Sequence, residues 1–452
     1  MTTNALSAIL HNLADQAGPP RTLYDTVTSP DLINLNLGAP SLDLLPAEVM
    51  RLACAEAWKE TGDLNWQRAF LQYGPQRGHG EVLEELARWL TGKYQRPVSS
   101  DHLALTTGCS QSIFNIIALF SDQNTTIFLE DPTYFLAYTV FTSHATKFEV
   151  VPVPTDDDGM IMEHLKRGLE ERFASKGFSP RNETPGPGQK TFNSATGRYP
   201  FILYCNPTFN NPRSTILHPT RRQRLVELAY KYHLLVVCDD VYDFLSYPEV
   251  EPLPDVDPSV PPVVYHFDTD KEDGRIISNC TFSKLFGPGM RLGWVEAGKT
   301  IIERFQSSAL FISGGSPNQL TSALILPLIR QGLLDTHIGV LREKYASRLR
   351  CMLTTLDQGL PKGIKILRPK VWGGFFVWIV LPDGWDALEI RARSVAEKKV
   401  AYAPGIWFAP VSKGSTNAIR LAFTYYDEPV LIEGTKKLCE LLTTIMAEKS
   451  RV

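Results

Sequence analysis

Between residues 100 and 300 the chain alternates short, continuously apolar runs with longer segments whose apolar residues recur every three or four positions. A run of the first kind is a strand covered on both faces, and one of the second kind is an amphipathic helix. The alternation predicts strands at 102–108, 125–131, 147–152, 200–207 and 233–240, interleaved with helices at 109–120, 134–143, 160–172 and 220–232. The runs FILYC and LLVVC have no polar face, as in a mainly parallel sheet lying under helices. Upstream, 46–60 reads as a helix opened by Pro46, and 79–94 as one with Val82, Leu83, Leu86, Trp89 and Leu90 on its apolar side. Downstream, helices at 299–311, 317–331 and 334–358 lead into strands at 375–380 and 418–424 and helices at 385–398 and 428–448. The expected architecture is α/β, with residues 1–60 an N-terminal arm and part of a small domain, 61–330 a large domain, and 331–452 a C-terminal α+β small domain. Residues 175–198, rich in Pro, Gly and Ser, read as a mobile surface insertion, because the alternation resumes after them.

Composition narrows the class. At 452 residues with 43% apolar and 21% charged residues, this is ordinary globular composition with length for a large core. A net charge of −3 favours neither nucleic acid nor an anionic membrane as partner. The seven cysteines are scattered without metal-binding spacing, which suits a reducing compartment and free thiols. No apolar run has transmembrane length and no secretory leader pattern opens the chain, so a soluble, cytoplasmic protein is expected.

The most informative stretch is Ser278 to Trp294, SNCTFSKLFGPGMRLGW. It reads as a strand over 275–282, a tight turn carrying Lys284, the breaker Gly287-Pro288-Gly289, and a second strand opening at Arg291. Apolar flanks imply that the turn is buried and that its charges need partners. Lys284 could form a Schiff base with an aldehyde, while Arg291, Thr281 and Ser283 hold a phosphate; an enzyme using pyridoxal phosphate needs that arrangement. A solvated turn lysine is the competing reading.

Other polar groups fall at the predicted strand ends, where α/β sheets bind ligands. Gly108, Cys109 and Ser110 open a helix whose backbone N–H groups could face an anion, or serve only as a cap. Tyr134 could stack on a flat ring or anchor a turn. Asn206 and Asn211 stand among prolines and could be turn residues. Asp239 ends a buried strand, with Tyr242 three residues on; it could pair with a protonated ring nitrogen or with a structural cation. Arg420, in an apolar strand, needs an anion, either a substrate carboxylate or an internal one.

Taken in order, these segments resemble the class I/II pyridoxal-phosphate aminotransferases (fold type I), over about residues 33–445 and most nearly their 2-aminoadipate/kynurenine aminotransferase-like branch. TFSKLFGPGMR (281–291) is similar to that family's lysine motif; Asn211-Pro212, Asp239-x-x-Tyr242 and Arg420-Leu421-x-Phe423 match the rest. The resemblance implies a mainly parallel seven-stranded sheet between helices in the large domain. It implies pyridoxal 5'-phosphate bound to Lys284 as an internal aldimine, with Lys284 also moving the proton between Cα and C4′. Asp239 would keep the pyridine nitrogen protonated, Asn211 and Tyr242 would hydrogen-bond the ring hydroxylate, and Tyr134 would stack on the ring. Gly108, Cys109, Ser110, Thr281, Ser283 and Arg291 would bind the phosphate, joined by Tyr73 reaching in from a partner subunit, which implies a homodimer with shared active sites. Arg420 would clamp the substrate α-carboxylate, beside Asn211 and Gly38. No metal is implied.

The chain departs from the pattern at Cys109, where a small hydroxyl or glycine is common, and at Arg213-Ser214, where a small residue and glycine usually follow Asn-Pro. The expected reaction moves an amino group between an α-amino acid, aromatic and aminoadipate-like side chains among the candidates, and a keto acid such as 2-oxoglutarate. Elimination, replacement or cyclisation on an amino acid is the alternative, since the same Lys, Asp and Arg serve it. Trp66, Phe209, Phe311, Trp372, Phe375 and Phe376 fit either a substrate pocket or a core, and Arg213 either a second substrate carboxylate or the surface.

Overall fold

The computed structural model describes residues 31–58, 71–143, 146–178, 192–193, 197–253, 257 and 259–450. The N-terminal arm before residue 31, Trp66 and most of the 175–198 insertion lie outside the described residues.

Fourteen strands are described: β1 (Ile33–Asn34), β2 (Leu103–Thr106), β3 (Thr126–Asp131), β4 (Glu149–Asp156), β5 (Gly159–Met160), β6 (Phe201–Cys205), β7 (Leu234–Asp239), β8 (Ile276–Thr281), β9 (Gly293–Ala297), β10 (Lys365–Leu367), β11 (Phe376–Val380), β12 (Val400–Ala401), β13 (Ala403–Pro404) and β14 (Ala418–Ala422). The largest sheet has the order β2-β9-β8-β7-β6-β3-β4-β5. The contacts β8–β7, β7–β6, β6–β3 and β3–β4 are parallel; β9 runs against both of its neighbours, and β5 against β4. The seven strands expected are thus joined at one edge by an eighth of two residues.

The apolar runs are continuous because both faces of this sheet are covered. Phe201, Leu203 and Cys205 of β6 and Leu234, Val236 and Cys238 of β7 enter one core with the helices Met162–Lys176 and Pro219–Lys231. The intervening Ile202, Tyr204, Leu235 and Val237 enter another, under Cys109–Phe120 and Lys299–Gln306. With a side-chain period of two, Asp239 points to the same face as Tyr204 and Val237. That parity places its carboxylate under the N-terminus of Cys109–Phe120.

A second, antiparallel sheet has the order β10-β11-β14-β13, and β1 pairs in parallel with β12. Leu35 stitches the segment after β1 to both regions: its N–H donates to Ala401 O (2.7 Å) and its carbonyl accepts from Ala422 N (2.6 Å). Among the described residues no single helix is long and apolar enough to cross a membrane. The bent pair Gln319–Arg330 and Leu333–Gly359 passes that test only when joined, and its Leu326, Leu328, Leu341 and Leu349 are core residues.

Several boundaries differ from the sequence reading. The helix expected over 299–311 breaks into Lys299–Gln306 and Ala309–Ile312, because Ser308 adopts an extended conformation between them. The strand expected to open at Arg291 opens at Gly293. Pro288–Met290 forms a single 3-10 turn ending on Arg291 at φ 48°, left-handed backbone that no strand residue adopts. The helix expected over 385–398 runs over Ala387–Arg393, capped by the Asp386 carboxylate, and widens into a π turn over Ser394–Lys398.

One buried cation ties the fold to the site. Arg222, fully buried on Pro219–Lys231, donates from Nε to Leu217 O (2.8 Å), from Nη1 to Pro262 O (3.0 Å), and from Nη2 to Pro207 O (2.9 Å) and Thr208 Oγ1 (3.0 Å). It thereby clamps both ends of the loop that carries Asn211. Arg222→Met removes these donors and strands buried carbonyls; it should lower unfolding free energy in urea by about 3 kcal/mol.

Candidate active site

The side chains singled out in the sequence converge on one cavity beyond the carboxyl ends of β3, β6, β7 and β8. Its wall includes Cys109, Ser110, Tyr134, Asn211, Asp239 and Tyr242, and also Thr281, Ser283, Lys284, Arg291, Arg420 and Gly38. Gly108 lies just behind it: φ is 96°, and a Cβ there would come within 3.2 Å of Arg291 Nη2 and 3.7 Å of Thr281 Oγ1. Tyr73 is not on the wall. It is 80% exposed, its ring against Gly314.

At one end, the helix Cys109–Phe120 turns its free N–H groups toward the cavity, a ready seat for an anion. Opposite, Ser283 N donates to Thr281 Oγ1 (3.0 Å), and Thr281 Oγ1 donates to Ser283 Oγ (2.9 Å), which orients both hydroxyls. Arg291 closes this end, held by Pro288 O (3.1 Å) and Thr107 O (3.3 Å). Its left-handed backbone swings the guanidinium back over Gly108.

At the other end Arg420 is buried. It donates from Nη1 to Asn211 Oδ1 (2.9 Å) and from Nη2 to Asn36 O (2.8 Å) and Asn36 Oδ1 (2.5 Å), with Phe376 and Phe408 against its faces. Its Nε is buried without an acceptor. Burial pushes its pKa down to about 9, a sign that the charge is short of a counter-ion.

Between the two ends lie Lys284 and Asp239. Lys284 Nζ donates to Gly38 O (3.2 Å), with Phe375 under it. Burial pulls its pKa down to about 8, helped by Arg420 and Arg291 and opposed by Cys109 and Asp239. Burial pushes the Asp239 carboxyl up to about 6, against donors that favour the anion: Tyr204 Oη to Oδ2 (2.8 Å), Cys109, and Asn279 Nδ2 to Oδ1 (3.0 Å). Since an unfolded aspartate titrates near about 4, the folded chain keeps this proton while the unfolded chain loses it. Asp239 therefore lowers stability progressively as pH rises from about 4 to about 6, and the cost stays constant above that. A cation against Asp239 would remove it. Burial likewise raises the pKa of Tyr134 and Tyr242, keeping both phenols neutral.

Two residues important to this geometry, Tyr204 and Asn279, carry no signal of their own in the sequence, and a third, Asn206, carries only the ambiguous one it shares with Asn211. Asn206 is a hub: its N–H donates to Glu130 Oε2 (2.7 Å), its Nδ2 to Asp239 O, and its Oδ1 accepts from Asn211 N (2.7 Å). Tyr204 and Asn279 read as strand residues, and only strand parity could have turned them toward Asp239. Arg213 faces away from the cavity, donating to Thr155 O (3.1 Å) and Asp157 Oδ1 (3.1 Å). Phe209, Phe311, Trp372, Phe375 and Phe376 are fully buried in the cores rather than on the wall.

Among the described residues, no carboxylate forms an ion pair with Lys284, Arg291 or Arg420. Three cations face a single acid, Asp239. The donor set fits a ligand carrying a phosphate at one end, a carboxylate at the other, an aldehyde near Lys284 and a basic nitrogen near Asp239. Pyridoxal phosphate together with an amino acid has those groups.

Comparison with known proteins agrees. A family model described as aminotransferase class I and II matches residues 30–447. The aromatic-amino-acid aminotransferase 1 of Thermococcus litoralis is 31% identical over 432 residues, 95% of this chain and 92% of its own. A multiple substrate aminotransferase from Thermococcus profundus superposes with a TM-score of 0.77 at 31% identity, covering 94% of each chain. The kynurenine aminotransferase of Pyrococcus horikoshii, solved in complex with PMP, KYN and KYA, gives 0.76 at 29% identity, covering 99% of this chain and 97% of its own.

Below about pH 8 the Lys284 amine is mostly protonated, and only its unprotonated fraction can attack an aldehyde. Adding pyridoxal phosphate to cofactor-free protein should therefore give a visible absorbance whose rate of appearance climbs with pH up to about 8 and then levels off.

Proposed function

The chain belongs to the class I and II aminotransferases, and from that premise we propose a role for each side chain in its cavity. The protein is a transaminase that uses pyridoxal phosphate and moves an amino group between an α-amino acid and an α-keto acid. When bound, that cofactor supplies an aldehyde for an amine and a ring that stores the electron pair left when Cα loses a proton.

Lys284 is the attachment point and, once displaced by the substrate amine, the base that takes the Cα proton. A pKa pulled to about 8 leaves a usable fraction of free amine near neutrality, far more than an ordinary lysine has. Asp239 holds the ring nitrogen protonated. Asn211 and Tyr242 fix the ring hydroxyl, and Tyr134 covers a ring face. The helix terminus at Gly108, Cys109 and Ser110 binds the phosphate with Thr281, Ser283 and Arg291. Arg420, oriented by Asn36 and Asn211 and with Gly38 close by, clamps the substrate carboxylate. The observation that carries this reading is the charge count: three cations without a carboxylate partner surround one buried acid.

For the donor we propose an aromatic or long apolar amino acid. Ile113, Leu136 and Val140 give the described wall an apolar flank, Arg213 is directed elsewhere, and the Thermococcus litoralis relative bears an aromatic-amino-acid name. 2-Oxoglutarate is the proposed acceptor. We further propose a homodimer in which Tyr73 reaches the partner's phosphate. The exposure of Tyr73, Leu71, Leu310 and Ile312, with Tyr73 resting on Gly314, supports that face as the contact. A large domain over 61–330 flanked by a small one remains our proposed division. The seven free cysteines support a cytoplasmic location.

The decisive experiment mixes the cofactor-loaded protein with single amino acids and no keto acid. Loss of the visible band, gain of the near-ultraviolet pyridoxamine band and release of a keto acid are expected; ammonia release with regeneration of the band would instead mean elimination. Lys284→Ala should abolish both band and turnover. Asp239→Ala should raise the barrier by about 3 kcal/mol, read as a fall in kcat/KM of about a hundredfold, and unchanged kinetics would remove Asp239 from its role.

A further inference from the structure

Asn279 sits on β8 directly beside Asp239 on β7, residue opposite residue in the parallel register. It is fully buried and does not reach the cavity wall. Its Nδ2 donates to two acceptors of different kinds: Asp239 Oδ1 (3.0 Å) and Cys109 O (3.3 Å), the carbonyl of the first residue of the helix Cys109–Phe120. The same two residues meet a second time, since Cys109 Sγ donates to Asn279 O (3.5 Å). One amide thus bridges the strand end that carries the acid and the helix terminus that faces the anion.

That bridge is bought at a cost to the core, because Asn279 Oδ1 is buried with no hydrogen-bond donor. An unpaired buried amide oxygen destabilises a fold by about 1–3 kcal/mol. Leucine has nearly the same size and would remove that orphan oxygen, but it would leave Asp239 Oδ1 and Cys109 O without this donor. The amide is kept for its two acceptors, and those two acceptors belong to different elements of the site. Tyr204 gives the contrast: it donates to Asp239 Oδ2 (2.8 Å) from β6, and no hydrogen bond joins its hydroxyl to the helix.

We propose that Asn279 is a positioning residue that fixes the spacing between Asp239 and the N-terminus of Cys109–Phe120, so that a rigid ligand meets its nitrogen partner and its phosphate partner together. The inference rests on the cofactor assignment above. Pyridoxal phosphate presents its ring nitrogen and its phosphate at a set separation, so a slack in the distance between the two anchors weakens both contacts at once. Tyr204 steadies only the acid. Asn279 steadies the acid relative to the helix.

The test compares the affinities of cofactor-free protein for pyridoxal phosphate and for pyridoxal, which lacks the phosphate, in wild type, Asn279→Leu and Tyr204→Phe. Thermal melting of each cofactor-free protein is measured alongside. Asn279→Leu, folded by its melting curve, should bind pyridoxal phosphate about tenfold more weakly, with a clearly smaller loss for pyridoxal. Tyr204→Phe should weaken both ligands by the same factor. Unchanged pyridoxal phosphate affinity in a folded Asn279→Leu protein, or equal losses for the two ligands, overturns the proposal. Should that variant fail to fold, Asn279→Ser, too short to span the two acceptors, is judged by the same criteria. Wild-type protein that binds neither ligand would overturn the cofactor assignment itself, a result distinct from equal losses in the variant.

Discussion

A carboxylate buried at the end of a central strand is the constraint around which this molecule is arranged. Asp239 stands where β7 stops, in a place that raises its proton affinity. It stays usable as an anion only because Tyr204 and Asn279, from the strands on either side, each give it a donor. Those donors are available because β6, β7 and β8 run parallel and bring their polar ends to one edge of the sheet. The helix above the same edge supplies N–H groups, and the loop after β8 supplies Lys284. Parallel topology thus gathers an acid, an amine and an anion seat from segments far apart in sequence.

Charge balance then accounts for the rest of the cavity. Arg420 and Arg291 sit at opposite ends, and each is held by neutral oxygens rather than by an acid. Neutral acceptors orient a guanidinium without cancelling its charge, which leaves it free for an incoming anion. The aromatic faces of Phe376 and Phe408 against Arg420 do the same while excluding water.

Much of this was legible in the residues. The buried strands announced themselves by lacking a polar face, and the breaker Gly287-Pro288-Gly289 fixed the turn after Lys284. Local signals erred where backbone detail decided the outcome, as at Arg291, whose left-handed conformation delays β9 by two residues. They were silent where a side chain acts through a neighbour on another strand. Asn279 and Tyr204 look like ordinary strand residues, because nothing local shows that parity and register aim them at Asp239. Arg213 was ambiguous for the opposite reason: an arginine after Asn-Pro looks site-directed until Thr155 and Asp157 are seen to hold it.

Arg420 meets Asn36 across 384 residues of chain. During synthesis, the Arg420 end of the cavity cannot exist until nearly the whole polypeptide has left the ribosome. At ordinary elongation rates that interval lasts on the order of tens of seconds. Throughout it, the segment around Asn36 and Gly38 lacks the strand β14 that later pairs with Leu35, and Lys284 is made before that strand is. The nascent chain can therefore carry Lys284 well before it can carry the complete cavity.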